Sequence, residues 1–198
     1  MEIVLATHNP DKVKEFHEIL QDPTISFISL HALGLDQEVE ETGLSYQENS
    51  DIKAQAAFKQ VHRPVLADDS GLSVDVLDGY PGIYSARFAG AHTSYQDKIR
   101  RLWELLKPFP QESWTATFYC SLSYISASGK TYHYQRTVDG ILLPERRGDH
   151  GFGYDPIFYI PSLGKTTAEL ESRQKHQISH RGLALKAWHQ DFQAGKLD

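Results

Sequence analysis

The chain has one cysteine in 198 residues, so it forms no internal disulfide and relies on a packed core or on ligands for stability. No apolar run approaches the ~20 residues that a membrane-spanning helix needs. Met1 leads straight into a strand-like segment, so no leader of the secretory kind is expected. These features lead us to expect a cytoplasmic protein with no membrane partner. Repeats, low-complexity tracts and linkers are missing as well, so one domain or two closely packed lobes is expected. Positive charge is scarce: 20 Lys and Arg stand against 26 Asp and Glu, a formal net charge of −6. A general nucleic-acid binder needs a basic footprint, so that class is disfavoured. A small polyanion held by a few placed cations and a metal remains open. Cys120 itself lies in a strand-like segment and reads as a small core residue.

What is present is a mixed α/β pattern with enough apolar residues for a sizeable core. Glu2 to Ala6 reads as a buried strand. Asp11 to Leu20 reads as a helix, with Val13, Phe16, Ile19 and Leu20 at helical spacing. Thr24 to Leu30 is a second strand candidate. A helix begins at Ser45, where Ser45 and Glu48 form a capping-box pattern; on it Asn49 and Lys53 share one face, which Ala56 continues. Ser94 to Leu106 is a third helix with Ile99, Leu102, Trp103 and Leu106 inward. Trp114 to Ser126 and Lys130 to Val138 read as a hairpin around Ala127-Ser128-Gly129. A loop, Gly151 to Gly153, precedes a short strand, Ile157 to Ile160. Ser179 to Phe192 is expected to be the last helix, packed through Leu185, Trp188 and Phe192.

The most informative segment is Val65 to Gly90. Its apolar run Val65-Leu66-Ala67 leads into Asp68 and Asp69, and Ser70-Gly71 follows, so the strand is expected to stop at the acids. Ligand sites in open α/β sheets lie at such strand ends. Side chains alternate along a strand, so the two aspartates should point to opposite sides. One can face a ligand and hold a hard cation while the other supports the loop. Alone, the pair would be an ordinary solvated turn.

Four other segments can carry chemistry. Thr7-His8-Asn9-Pro10-Asp11-Lys12 joins a strand to a helix, where backbone N–H groups and the helix dipole favour phosphate. Thr7 and Asn9 add hydrogen-bond donors there and Lys12 adds charge. It lacks the GxxxxGK[ST] pattern of a P-loop, and a plain capped connection is the everyday alternative. Glu40-Glu41 lies in a polar loop; if one glutamate faces Asp69, the two carboxylates suit Mg²⁺, with water and phosphate oxygens completing the shell. Gly151-Phe152-Gly153-Tyr154-Asp155-Pro156 lets the backbone approach a ligand closely; its aromatics either stack on a base or tuck into the core. Lys175 and Ser179-His180-Arg181-Gly182 offer donors. Arg and Lys only donate, so they match a 6-keto purine and leave the 6-amino group of adenine donor against donor.

These blocks, in this order, resemble the inosine/xanthosine triphosphate pyrophosphatase family, enzymes that clear deaminated purine nucleotides. The firmest are Ala67 to Gly90, GFGYDP at Gly151 to Pro156 and SHRG at Ser179 to Gly182. Ala6 to Lys12, Glu40 to Lys53 and Lys165 to Leu170 support them. The resemblance spans the whole chain as one domain, residues 1–198. It implies a long mixed β-sheet flanked by helices, in two lobes with the active-site cleft between them, and a homodimer.

The implied activity is Mg²⁺-dependent hydrolysis of ITP, dITP and XTP to the monophosphate and pyrophosphate. By that resemblance Thr7, His8, Asn9, Pro10, Asp11 and Lys12 hold the triphosphate with Lys53 and Ser70. Glu40 and Asp69 hold Mg²⁺, Glu40 being three residues before Gly43, and Asp69 activates water. Phe152, Gly153, Tyr154, Asp155, Lys175, His180 and Arg181 form the base and ribose pocket. The family's first loop commonly reads TGNxGK; His8 and Asp11 replace its glycines here. A carboxylate on Mg²⁺ is a weak base, so orienting the water would be the larger part of Asp69's role.

Overall fold

The computed structural model describes residues 1–35, 37 and 39–198. Its strands are β1 (Glu2–Leu5), β2 (Ser26–Ser29), β3 (Val65–Val74), β4 (Thr115–Ile125), β5 (Thr131–Leu142), β6 (Phe158–Ile160) and β7 (Lys165–Thr166). The α-helices are α1 (Pro10–Ile19), α2 (Tyr46–Val61), α3 (Tyr95–Leu106), α4 (Ser172–Ile178) and α5 (His180–Gln193). The sheet order is β2-β1-β3-β4-β5-β6-β7. β1 runs parallel to both β2 and β3, whereas β5-β6 and β6-β7 are antiparallel. This is the mixed sheet with helices that the sequence suggests.

The chain divides into two compact units. The first comprises Met1–Asp69, Cys120–Arg136 and Arg181–Asp198; the second comprises Ser70–Tyr119 and Thr137–His180. In the first unit the period-2 alternation of β1 and β3 sorts side chains into two cores. Ile3, Leu5 and Leu66 pack with Phe16 of α1 and Leu185 and Trp188 of α5. Val4, Ala6, Val65 and Ala67 pack with Ala54 and Ala57 of α2. The second unit has its own core, in which Leu72 and Val74 join Ile99, Leu102 and Leu106 of α3 with Phe118, Ile157 and Phe158.

Three expectations are corrected. β3 does not stop at the aspartates but continues to Val74. Ser70 and Gly71 read as breakers, yet the buried Leu72 and Val74 carry the strand on, and the Leu72 N–H donates to Ser85 Oγ at 2.8 Å. The last helix begins at His180, and Ser179 is the C-cap of a separate helix, α4. Its SRQKHQ sequence has no apolar period to betray it. β6 begins at Phe158, because Asp155–Ile157 form a 3₁₀ turn. β5 runs to Leu142, four residues past the expected Val138; elsewhere the differences are a residue or two, as for β2 within Thr24 to Leu30. Ser45 caps α2 by accepting from the Glu48 N–H at 3.1 Å, but Glu48 accepts from the Leu44 N–H at 2.6 Å rather than from Ser45.

Candidate active site

The connection from β1 to α1 folds as a capped turn. Asn9 Oδ1 accepts from the N–H groups of Asp11 (2.9 Å) and Lys12 (3.3 Å), and Thr7 Oγ1 accepts from the Asn9 N–H (3.2 Å). Pro10 opens the helix, where a missing N–H does no harm. Within the loop, Thr7 Oγ1 and Asn9 Oδ1 thus act as acceptors. His8, Pro10 and Asp11 are exposed. The Lys12 side chain reaches the Asp68 carboxylate at 3.0 Å.

β3 carries the two aspartates out of the apolar alternation that precedes them. Asp68 follows Leu66 onto the α1/α5 side. There it pairs with Lys12 and with Arg181, whose Nη2 and Nε lie 3.0 and 3.3 Å from Oδ2. Arg181 is buried and its Nη1 also donates to Glu15, an acid of α1 that the sequence alone did not single out. Burial would raise the Asp68 carboxyl, but Lys12, Arg181 and Lys53 outweigh it and hold it well below the usual carboxylate range. Against the cost of burying Arg181, the charges of Asp68 and Glu15 push its ionisation up.

Asp69 follows Ala67 onto the α2 side. Its Oδ1 accepts from Lys53 Nζ at 2.9 Å and its Oδ2 lies 3.5 Å from Asn49 Nδ2. Asn49 and Lys53 are the i, i+4 pair on one face of α2. Lys53 Nζ also donates to Glu41 at 2.8 Å. Glu41 is therefore the glutamate of the pair that shares a cation with Asp69; Glu40 is exposed. Burial pushes the Asp69 carboxyl up, further than Lys53 and Lys12 bring it down, and Glu41 adds to the rise. The Glu41 loop is clipped to α2 where the Gly43 N–H donates to Asn49 Oδ1 at 2.9 Å. A Cβ at residue 43 would lie 2.7 Å from that oxygen, so glycine is required there. Behind this face, Ser50 bonds Ser123 at 2.7 Å and Ser123 donates to Asp51 at 2.7 Å, fixing α2 to β4.

The second unit holds the GFGYDP block. Asp155 is its organiser. Oδ2 accepts from the Phe152 N–H (2.9 Å) and from Lys175 Nζ (2.6 Å), while Oδ1 accepts from Thr167 Oγ1 (2.8 Å). Gly151 has φ +74°, and a Cβ there would lie 2.1 Å from Asp155 Oδ2. The Asp155 carboxylate, which the resemblance puts in the base and ribose pocket, is thus bonded within the protein. Lys175 Nζ also lies 5.2 Å from the centre of the half-buried Phe152 ring. Tyr154 is core: it is buried, its hydroxyl donates to the Ser85 carbonyl at 3.2 Å, and burial pushes that hydroxyl's pKa up. Tyr95 meets it edge-on at 5.5 Å and lies 3.6 Å from where a Cβ of Gly153 would be. His180 stacks on Phe118 at 4.9 Å. Ser70 is half-buried on β3. Thr167 and Ser85 had no role on sequence grounds; both lie in blocks whose order, though not their function, was recognisable.

In the first unit, the buried acids Asp68 and Asp69 with the cations Lys12, Arg181 and Lys53 describe a site for a charged ligand. The model of the Ham1 family matches residues 3–191. A protein of Bacillus subtilis (strain 168) named dITP/XTP pyrophosphatase is 46% identical over 185 residues, covering 93% of each chain. One of the same name from Halalkalibacterium halodurans is 44% identical over 93% of this chain and 95% of its own. Among solved structures, the Ham1 protein of Staphylococcus aureus matches 99% of this chain and all of its own with a TM-score of 0.86 at 41% identity. A HAM1 protein from Coxiella burnetii matches 98% of this chain and 99% of its own, with a TM-score of 0.89 at 38% identity. The chain belongs to the Ham1 family.

Proposed function

We propose that this chain is a Mg²⁺-dependent nucleoside triphosphate pyrophosphatase that converts ITP, dITP and XTP to the monophosphate and pyrophosphate. The observation that carries the reading is Asp69, a buried carboxylate in the middle of β3 with Lys53 and Asn49 on it. The donors nearby are carboxylate oxygens, which suit a hard cation rather than zinc or copper. Among the described residues no three His, Cys, Asp or Glu side chains form a complete cage. Mg²⁺ fits that arrangement, since one or two carboxylates commonly hold it together with substrate phosphates.

Asp69 and, by the family resemblance, the exposed Glu40 are the proposed ion ligands, Glu41 being engaged by Lys53. When bound, the ion would neutralise phosphate charge and activate water. Asp69 orients that water, and Asn49 keeps the Asp69 carboxylate turned. Lys12, Lys53 and the 7–12 loop receive the triphosphate, with Ser70 next to Asp69 in the chain. Asp68 and Glu15 keep Arg181 in place in the first unit, so the base-directed donors are chiefly Lys175, His180 and the backbone of Gly151–Asp155. Phe152 offers the stacking face. We further propose a homodimer acting in the cytoplasm.

Product analysis tests the reading. The substrates are dITP, XTP, GTP, ATP and dTTP, with and without Mg²⁺, scoring pyrophosphate separately from orthophosphate. Metal-dependent pyrophosphate release from dITP and XTP, with the others nearly inert, is expected. Orthophosphate as the product, or tight binding without turnover, overturns it.

A further inference from the structure

Lys53 has two carboxylate partners at nearly equal distance: Glu41 at 2.8 Å and Asp69 at 2.9 Å. The two oxygens can be no further apart than those bonds laid end to end. All three side chains are largely shielded, with 15%, 21% and 7% of their surface exposed. The Lys53 ammonium is therefore shared between two partly desolvated carboxylates, one of them the same Asp69 that the proposed function gives to a divalent ion. Lys53 is on Oδ1 and Asn49 faces Oδ2, so a divalent ion on either oxygen of this one carboxylate lies close to the ammonium and is repelled by it. Lys53 sits on a rigid helix but at the end of a flexible four-carbon stem, so its head can move while α2 stays. Glu41 offers it a second carboxylate to stay on, in a loop that Gly43 and Asn49 clip to α2.

We propose that Lys53 is a tethered counter-cation for Asp69, which gives up Asp69 when a divalent ion binds and is retained by Glu41. The inference rests on the reading of Asp69 as an ion ligand. It adds that the protein carries its own competitor for the ion, so the ion-free site is closed by charge rather than left open. Lys53 released from Asp69 is then available to the triphosphate. Ion and nucleotide binding thus become coupled through one side chain: each favours the state in which Lys53 is off Asp69.

Calorimetric titration with Mn²⁺ alone, without nucleotide, tests this on the full chain. An ion that binds only the Lys53-displaced state has its affinity reduced by the fraction in that state. If about nine-tenths of the protein holds Lys53 on Asp69, Lys53→Met binds Mn²⁺ about tenfold more tightly than the parent. Equal or weaker binding overturns the proposal. Glu41→Gln is then made in both backgrounds. In the Lys53→Met background it leaves Mn²⁺ affinity unchanged, because Glu41 acts through Lys53. A loss there as large as in the parent makes Glu41 an ion ligand and overturns its anchoring role.

A readout on the unaltered protein guards against a variant that misfolds. The ¹⁵Nζ resonance of Lys53, assigned by its absence in Lys53→Gln, shifts in proportion to Mg²⁺ occupancy. An unmoved resonance at saturating Mg²⁺ overturns the proposal. Should the parent bind neither ion, with or without nucleotide, the ligand role of Asp69 falls and this inference with it. Binding by the parent without tightening in Lys53→Met sinks this inference alone.

Discussion

Asp68 and Asp69 are neighbours on one strand, yet the first is held by Lys12 of α1 and Arg181 of α5 and the second by Lys53 of α2. The period-2 alternation of β3 separates them. It gives the two carboxylates different protonation behaviour: cations hold Asp68 low, while burial pushes Asp69 up. Substitutions at the two positions should therefore fail in different ways.

Asp69→Asn is expected to lower kcat by about 10³-fold, the scale of a lost water-positioning base. The folded stability and nucleotide affinity should largely survive, because the amide is isosteric and relieves a burial penalty. Single-turnover kinetics beside equilibrium binding checks this, and near-parental turnover would remove Asp69 from the mechanism.

Asp68→Ala leaves Arg181 and Lys12 without their shared carboxylate and is expected to cost about 3–5 kcal/mol. The sign with pH is fixed by the low folded pKa. Asp68 contributes stability that is complete above the unfolded value of ~4 and is lost as pH falls below it toward the folded value. Urea unfolding of the parent should show this acid-side loss, and Asp68→Asn should flatten it. An unchanged acid slope would mean that Asp68 does not carry the ion group.

Phe152→Ala should raise KM for dITP by about 10- to 100-fold, the scale of one lost base-stacking contact, with a smaller effect on kcat. Lys175→Met should instead erode the preference for dITP over dATP. Ratios of kcat/KM for the two nucleotides separate these outcomes; an unchanged ratio in Lys175→Met would take that side chain out of base selection.

Burial pushes the Cys120 thiol up to about 12, with the Asp68 charge adding to it. The folded protein should resist a thiol reagent at pH 8 and react stoichiometrically in denaturant. Fast labelling of the native protein would contradict the packing between β4, α1 and α5.

Much of this was legible in the residues because local rules and tertiary demands agree. Val13, Phe16 and Ile19 mark α1, and Ser45 marks the start of α2. The opposite facing of Asp68 and Asp69 follows from the pleat alone. The extension of β3 was hidden because Ser70-Gly71 breaks the propensity, and only the core around Leu72 and Val74 overrides it. α4 was hidden because its polar sequence has no stripe to read. The candidate site was legible as residue types in order, and its internal pairing was not. Nothing in the spacing shows that Arg181 binds Asp68 and Glu15, that Asp155 is bonded by Thr167 and Lys175, or that Lys53 reaches Glu41 while Glu40 faces outward. Those are contacts between positions 12 to 166 residues apart, and periodicity is silent at that range.

Arg181 next to His180 has an evolutionary corollary. The guanidinium answers two buried acids, so most replacements at 181 would be lost to misfolding before any change in substrate choice could be selected. Phe152, by contrast, is an uncharged, half-buried ring. Lineages of this fold that drift toward other nucleotides should accumulate changes at residue 152 early, with residue 181 the last to move.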